Sequence, residues 1–425
     1  MEINNKGKKI LACAYLCLLK DKNGGSGGEA ILGWNIVRQI SRFNKVWVLT
    51  HEDGKEDIEY LTSKMPNQNV IFCYVGLPKF LNFLQSFFGG LQFYIYLWQI
   101  KAYFVAKKLH KKNNFDIFHH ITFANDWMAS FIGALLPIPY IRGPGGGAHK
   151  VPKSFLSSFS FKDQLSQYSR SFAQWIFRHD LFFILGQSRA KALLVCNLES
   201  FNAIPNKWRK KAQVFPVNGA SLEDINFLKG TEKKINKKFT ILTAGRFIRI
   251  KGFDFVIKSF KSFSDKIPDS QLIIIGGGPE LNNLKKIEKN NNLETKIIFT
   301  GWTSRENLLQ EMADCDVFLF LSLRDGGGQV VVEAMAAGKP IVCFDIAGPG
   351  FHVDKTCGIK INPGNPGQAV ADVAKALENL YFNKELRDAL GLGARIKAEE
   401  KYDWNKLGDR LNEIYIDMLN RKGTL

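Results

Sequence analysis

The sequence predicts an α/β protein made of two doubly wound domains, each a parallel sheet with helices on both faces. Three observations carry this. Short apolar runs rich in β-formers alternate with longer amphipathic stretches from one end of the chain to the other. Several of those runs end in glycine clusters, where a strand turns sharply into a helix. The chain has 425 residues, enough for two cores of ordinary size. Its 45% hydrophobic and 23% charged residues exclude the disordered and fibrous classes.

Charge is unevenly spread. Residues 1–220 hold 28 Lys and Arg against 13 Asp and Glu, a net +15, whereas residues 221–425 hold 30 against 27, a net +3. The first half is therefore expected to meet something anionic, such as a phosphorylated acceptor or a membrane surface, or else to carry a solubilising positive face. No nucleic-acid recognition motif accompanies the charge. Seven cysteines, an odd number placed mostly inside apolar runs, predict buried thiols in a reducing cytoplasm. None forms a C-x2-C pair matched by a second one, so no structural zinc is expected.

The first strand is expected within Ile10 to Leu19. Lysines precede it as in a signal peptide, but no small-residue cleavage site follows, which favours a strand. The loop Asn23 to Gly28 then leads into a helix over about 29–41, with Ile31, Trp34, Ile36 and Val37 on its buried side. This loop lacks the G-x-G-x-x-G spacing, and no acidic residue ends the next strand, Val46 to Thr50, so a dinucleotide-dependent oxidoreductase is disfavoured. The aromatic stretch Phe80 to Val105, interrupted by Gln and Lys and split at Gly89-Gly90, predicts two helices that either pack on the core or lie on an anionic bilayer; it does not predict a membrane span. Asp116 to Ile121 is a strand ending in His119 and His120, placed where open α/β sheets bind ligands; a helix is expected over about 125–135. Tyr140 to Ala148 is another strand and glycine loop, Ser154 to Phe177 an amphipathic helical stretch, and Leu181 to Leu185 a strand.

In the second half, the strand Phe239 to Ala244 runs into a loop carrying Arg246 and Lys251, two fixed cations suited to a diphosphate. A solvated basic loop is the plainer alternative. Leu272 to Ile275 ends in a phosphate-type turn with Gly277, Gly278 and Glu280, and Lys296 to Thr300 ends in Gly301 and Trp302. The strand Asp316 to Leu321 meets Asp325, then Gly326, Gly327 and Gly328, and then the helix Gln329 to Ala337, whose free N–H groups favour an anion. Asp325 and Glu333 bracket that place, and carboxylates beside a phosphate cradle suit hydroxyl-rich groups, a ribose and a sugar. Asp314-Cys315-Asp316 is formally D-x-D, but Asp316 opens its strand at the end remote from the crevice, so no metal site is expected.

The spacing Asp325-x7-Glu333 followed by A-M-A-A-G-K-P resembles the E-x7-E signature of retaining glycosyltransferases of family 4, which have the GT-B fold; Asp325 stands where that family has Glu. The resemblance implies a first, acceptor-side domain over 1–216, a nucleotide-sugar-binding domain over 217–404, with the join at F-P-V-N-G-A-S, and a closing helix over 405–425 that returns to the first domain. It implies a cleft lined by the loop with Gly27 and Gly28, leaving-group stabilisation by Arg246 and Lys251, the ribose on Glu333, the nucleobase on the backbone at Gly301-Trp302, and the transferred sugar near Asp325 and near His119 or His120. No cofactor or metal is implied, only a UDP- or GDP-linked sugar as substrate. The expected partner is a saccharide or lipid-linked acceptor, with possible contact to an anionic membrane at its cytoplasmic face. The rival reading is an idle scaffold of the same fold that binds polysaccharide or a partner enzyme.

Overall fold

The computed structural model describes residues 7–19, 28–86, 90–231 and 238–420. They divide into two compact units, one formed by Met1–Ala148, Tyr168–Val217 and Asn405–Leu425, the other by His149–Gln167 and Asn218–Trp404.

The first unit is built on seven parallel strands: β1 (Lys9–Cys13), β2 (Lys45–His51), β3 (Val70–Val75), β4 (Ile117–His120), β5 (Tyr140–Gly145), β6 (Ala192–Val195) and β7 (Ala212–Val214), ordered β3-β2-β1-β4-β5-β6-β7. Every residue of β4, β5 and β6 is buried, as a strand covered on both faces requires. The aromatic stretch after residue 79 forms a short 3-10 helix, Lys79–Ser86, and a long helix, Gly90–Asn113. Trp98 of the latter is fully buried and donates its indole N–H to the Val75 carbonyl at 2.7 Å. From Asn405 onward the last helix, Trp404–Asn420, also packs on this unit: Arg42 pairs with Asp409 at 3.1 Å, and Tyr415 is buried beside His119.

Two sequence expectations fail here. Leu181 to Leu185 is not a strand; it opens the helix Leu181–Arg189, capped by Asp180, whose carboxylate accepts the Phe183 N–H at 2.8 Å. The strand of that region is β6, Ala192–Val195. The helix expected over 125–135 shrinks to Phe131–Leu135. The residues before it are held in a loop by the buried Arg142, which donates to the Asn125 carbonyl at 2.9 Å and to the Asp126 carboxylate at 3.2 Å.

The second unit has six parallel strands, β8 (Phe239–Ala244), β9 (Ser270–Ile275), β10 (Ile297–Gly301), β11 (Val317–Phe320), β12 (Ile341–Phe344) and β13 (Gly358–Ile361), ordered β10-β9-β8-β11-β12-β13. Its core is rich in phenylalanine, including Phe247, Phe253, Phe260 and Phe263. Phe155 joins that core, its ring centroid 5.0 Å from that of Phe255 and 5.7 Å from that of Phe344, which accounts for the placement of His149–Gln167 in this unit. No disulfide forms; six of the seven cysteines are buried, and burial alone pushes the Cys13 thiol up to about 12. Among the described residues no helix is long and apolar enough to cross a membrane.

Candidate functional site

In an open parallel sheet the loops at the carboxyl ends gather on one edge, and a crevice opens where the strand order reverses. In the second unit that point lies between β8 and β11. The loops leaving these strands are stitched together: Leu323 donates its N–H to the Ile250 carbonyl at 2.9 Å. Gly252 lies so close to the second loop that a Cβ there would sit 2.1 Å from the Leu321 carbonyl oxygen, and its φ of +68° is left-handed, so only glycine fits.

This closeness brings Lys251 and Asp325 into a direct ion pair, Nζ to Oδ2, with both side chains largely buried. The other carboxylate oxygen of Asp325 accepts the N–H groups of Gly327 and Gly328, at 3.1 and 2.8 Å. Burial opposes the charge on Asp325, but Lys251 and the two amides outweigh it and hold the carboxyl below the usual carboxylate range. Two of the amides expected to face an anion therefore already cap the loop's own aspartate. His352 adds a further tie through its Nε2 to the Gly327 carbonyl and its Nδ1 to the Tyr402 hydroxyl at 2.8 Å. Arg246, the other expected cation, is exposed, and its guanidinium has no protein partner among the described residues.

Glu333 is buried on the helix Gln329–Ala336, its Oε1 accepting from Gln329 Nε2 at 2.9 Å and from Arg305 Nη1 at 2.9 Å. Arg305 also grips Asp224, Nε to Oδ1 at 3.0 Å and Nη2 to Oδ2 at 2.8 Å. Asp224 is fixed in turn by Ser221, which accepts its N–H at 3.0 Å and donates its hydroxyl to Oδ2 at 2.7 Å, a capping box. Burial opposes the charges of Arg305 and Asp224, yet Glu333 and Asp224 hold Arg305 above its ordinary value, and Arg305 with Ser221 holds Asp224 below its own. Sequence reading missed Arg305 because 81 residues separate it from Asp224 and 28 from Glu333, and no spacing rule joins them.

Gly277, Gly278 and Glu280 follow β9, Gly301 ends β10 and Trp302 follows it. The turns touch: Gly276 donates its N–H to the Gly301 carbonyl at 2.9 Å, and a Cβ on Gly277 would lie 2.8 Å from the Trp302 indole nitrogen. Trp302 is otherwise exposed, and Glu280 accepts from Asn283 Nδ2 at 3.0 Å.

In the first unit His119 and His120 end β4 beside β1, at that sheet's own reversal. Both are buried. His119 engages both ring nitrogens, Nδ1 with the Tyr415 hydroxyl at 2.6 Å and Nε2 with the Gly143 carbonyl, while His120 Nδ1 is buried without a partner among the described residues. Burial pushes His119 down to about 4, and burial with the Arg142 charge pushes His120 to about 3. Gly28 opens the helix Gly28–Ile40, and Gly27 lies outside the described residues.

The comparisons agree with this architecture. Residues 224–396, which lie within the second unit, match the family model described as "Glycosyl transferases group 1". An uncharacterized glycosyltransferase of Methanocaldococcus jannaschii is 23% identical over 75% of this chain and 82% of its own length. Sulfoquinovosyl transferase of Arabidopsis thaliana is 33% identical, over 39% of this chain and only 31% of its own length. Among solved structures, sucrose-phosphate synthase from Thermosynechococcus elongatus superposes over 98% of this chain and 100% of its own with a TM-score of 0.65 at 15% identity. Anabaena HepE in complex with UDP superposes over 96% of this chain and 100% of its own with a TM-score of 0.62 at 17% identity. The fold is thus GT-B, with two parallel-sheet domains.

Two measurements follow from this geometry. Removing Arg305 leaves the buried Glu333 carboxylate without its cation, so Arg305→Ala is expected to lower unfolding free energy by about 1–3 kcal/mol, read from denaturant melts; an unchanged midpoint would show that the ion pairs are solvent-screened ornaments. The buried histidines set an acid limb. His119, at about 4, His120, at about 3, and His352, at about 4, titrate below the unfolded value of about 6.5, so their contribution to stability is complete above that value. It is lost as pH falls from there through the folded values, and melting temperatures that stay flat between about pH 6.5 and 4.5 would contradict it.

Proposed function

We propose that the chain is a retaining glycosyltransferase of family 4, moving a sugar from a UDP- or GDP-linked donor to a saccharide or lipid-linked acceptor, in cell-surface polysaccharide or glycolipid synthesis on the cytoplasmic side of a membrane. The observation that carries this reading is the placement, on the loops and helix that follow β8 and β11, of a cation unpartnered among the described residues, a buried Lys–Asp pair on a glycine loop, and an anchored buried carboxylate. The family match over 224–396 and the UDP held by Anabaena HepE support it.

The chemistry follows from charge. As the bond from the anomeric carbon to the diphosphate oxygen breaks, negative charge grows on the diphosphate, and a cation aimed there stabilises the transition state more than the ground state. Arg246, exposed and without a protein partner among the described residues, is assigned this role, and Lys251 lies five residues downstream at the other end of the same loop. These fixed charges supply what a divalent ion supplies in other transferases, so we assign metal-independent transfer. Glu333, presented by Arg305 and Gln329, accepts from the ribose hydroxyls. Asp325 orders the loop amides and faces the sugar hydroxyls. His119, with both nitrogens spent inside its own unit, serves as packing in this scheme.

A second reading has one observation in its favour. Asp325 is consumed by Lys251 and two loop amides, as in a scaffold that binds sugar polymers without turning donor over. Turnover separates the two. With chelator present and a panel of nucleotide sugars, the transferase gives a product of retained anomeric configuration by NMR, and kcat falls by about 10²-fold in Arg246→Ala and again in Lys251→Ala. No product from any donor, or unchanged kcat in both variants, would refute the assignment.

A further inference from the structure

The helix Phe161–Arg178 is mounted inside out. Within the first unit its polar residues face the protein: the buried Gln174 and Arg170 both donate to the Gly147 carbonyl, at 2.7 and 2.8 Å, and Arg178 donates to the Asp126 carbonyl at 3.3 Å. Apart from Phe177, which packs against Tyr96 and Trp127, its large apolar residues face water. Tyr168, Phe172 and Trp175, spaced four and three apart and so stacked on one face, are 61, 63 and 59% exposed, and Ile176 beside them is 48% exposed. Phe172 and Trp175 stack on each other with ring planes 17° apart. The next helix continues the pattern with Leu181, 71% exposed. In sequence the same spacing runs back through Leu165 and Phe161.

An ordinary surface helix does the reverse, and exposing this much aromatic surface costs free energy unless something covers it. We propose that this face docks on an anionic lipid surface. Two features select that occupant. The exposed residues are led by Tyr, Trp and Phe, whose flat, amphipathic rings favour the membrane interface. The segment 151–191 carries Lys153, Lys162, Arg170, Arg178, Arg189 and Lys191 against only Asp163 and Asp180, so its field is positive. That charge attracts anionic headgroups and repels a second copy of a chain whose net charge is +18. The Phe80 to Val105 stretch that composition alone singles out is mixed: Tyr94, Trp98 and Ala102 are buried in the core, while Phe80, Phe83, Phe93 and Phe104 are exposed.

The proposal is independent of the transferase reading and is tested without donor or acceptor. The full chain is floated with vesicles of phosphatidylcholine alone and of phosphatidylcholine with phosphatidylglycerol, beside a Phe172→Glu/Trp175→Glu variant and a Leu181→Glu variant, all checked for unchanged thermal melts. The wild type binds the anionic vesicles, binds the neutral ones at least about tenfold less, and loses about tenfold or more in the double variant, with a smaller loss at Leu181. Failure of the wild type to bind, equal binding to both vesicles, or undiminished binding by the folded double variant would each overturn it. So would a wild-type dimer in light scattering that becomes monomeric in the double variant, since the face would then be self-covering.

Discussion

A buried carboxylate must be neutralised or it will not stay charged, and Asp325 meets that demand with three partners drawn from two loops. Lys251 comes from the loop after β8, Gly327 and Gly328 from the loop after β11. The ion pair therefore does more than balance charge. It fixes the distance between two strand ends, which the Leu323 to Ile250 bond and the close approach at Gly252 reinforce. Because Asp is one methylene shorter than Glu, its oxygens fall back on the amides two and three residues ahead, the geometry of an Asx turn. The loop is thereby ordered before any ligand arrives.

A second network works beside it by the same logic. Glu333 is buried and needs a cation; Arg305 supplies it, and Asp224 with Ser221 holds Arg305 in place. The result is a carboxylate aimed by three elements rather than by its own helix alone. Arg246 has no such partner among the described residues, so of the two expected cations one is paired and one is exposed.

Much of this was legible in the sequence, for reasons that can be stated. Glycines after apolar runs located the turns at Gly245, Gly276 and Gly326 to Gly328, because only a tight strand-to-helix turn needs them. The alternation of runs gave the two parallel sheets. Other features were hidden in principle. Leu181 to Leu185 is an apolar run too short to show a period, so the Asp180 cap decided its fate. Arg305 is one arginine among polar neighbours, and its partners are remote in the chain. The helix Phe161–Arg178 shows its amphipathicity plainly in sequence, yet periodicity cannot tell which face turns inward. Only the bonds of Arg170 and Gln174 to Gly147 do that.

The central claim is that the strand ends of the second unit form a nucleoside-diphosphate site organised around Lys251–Asp325 and Glu333. Isothermal titration of the purified chain in chelator with UDP, GDP, ADP and NAD, repeated with Glu333→Ala, tests it most directly. The account predicts binding of one nucleoside diphosphate, weakened about tenfold or more, roughly the worth of a hydrogen bond to a charged group, when Glu333 is removed. Heat from none of them by a folded protein, or equal affinity in the variant, would contradict it.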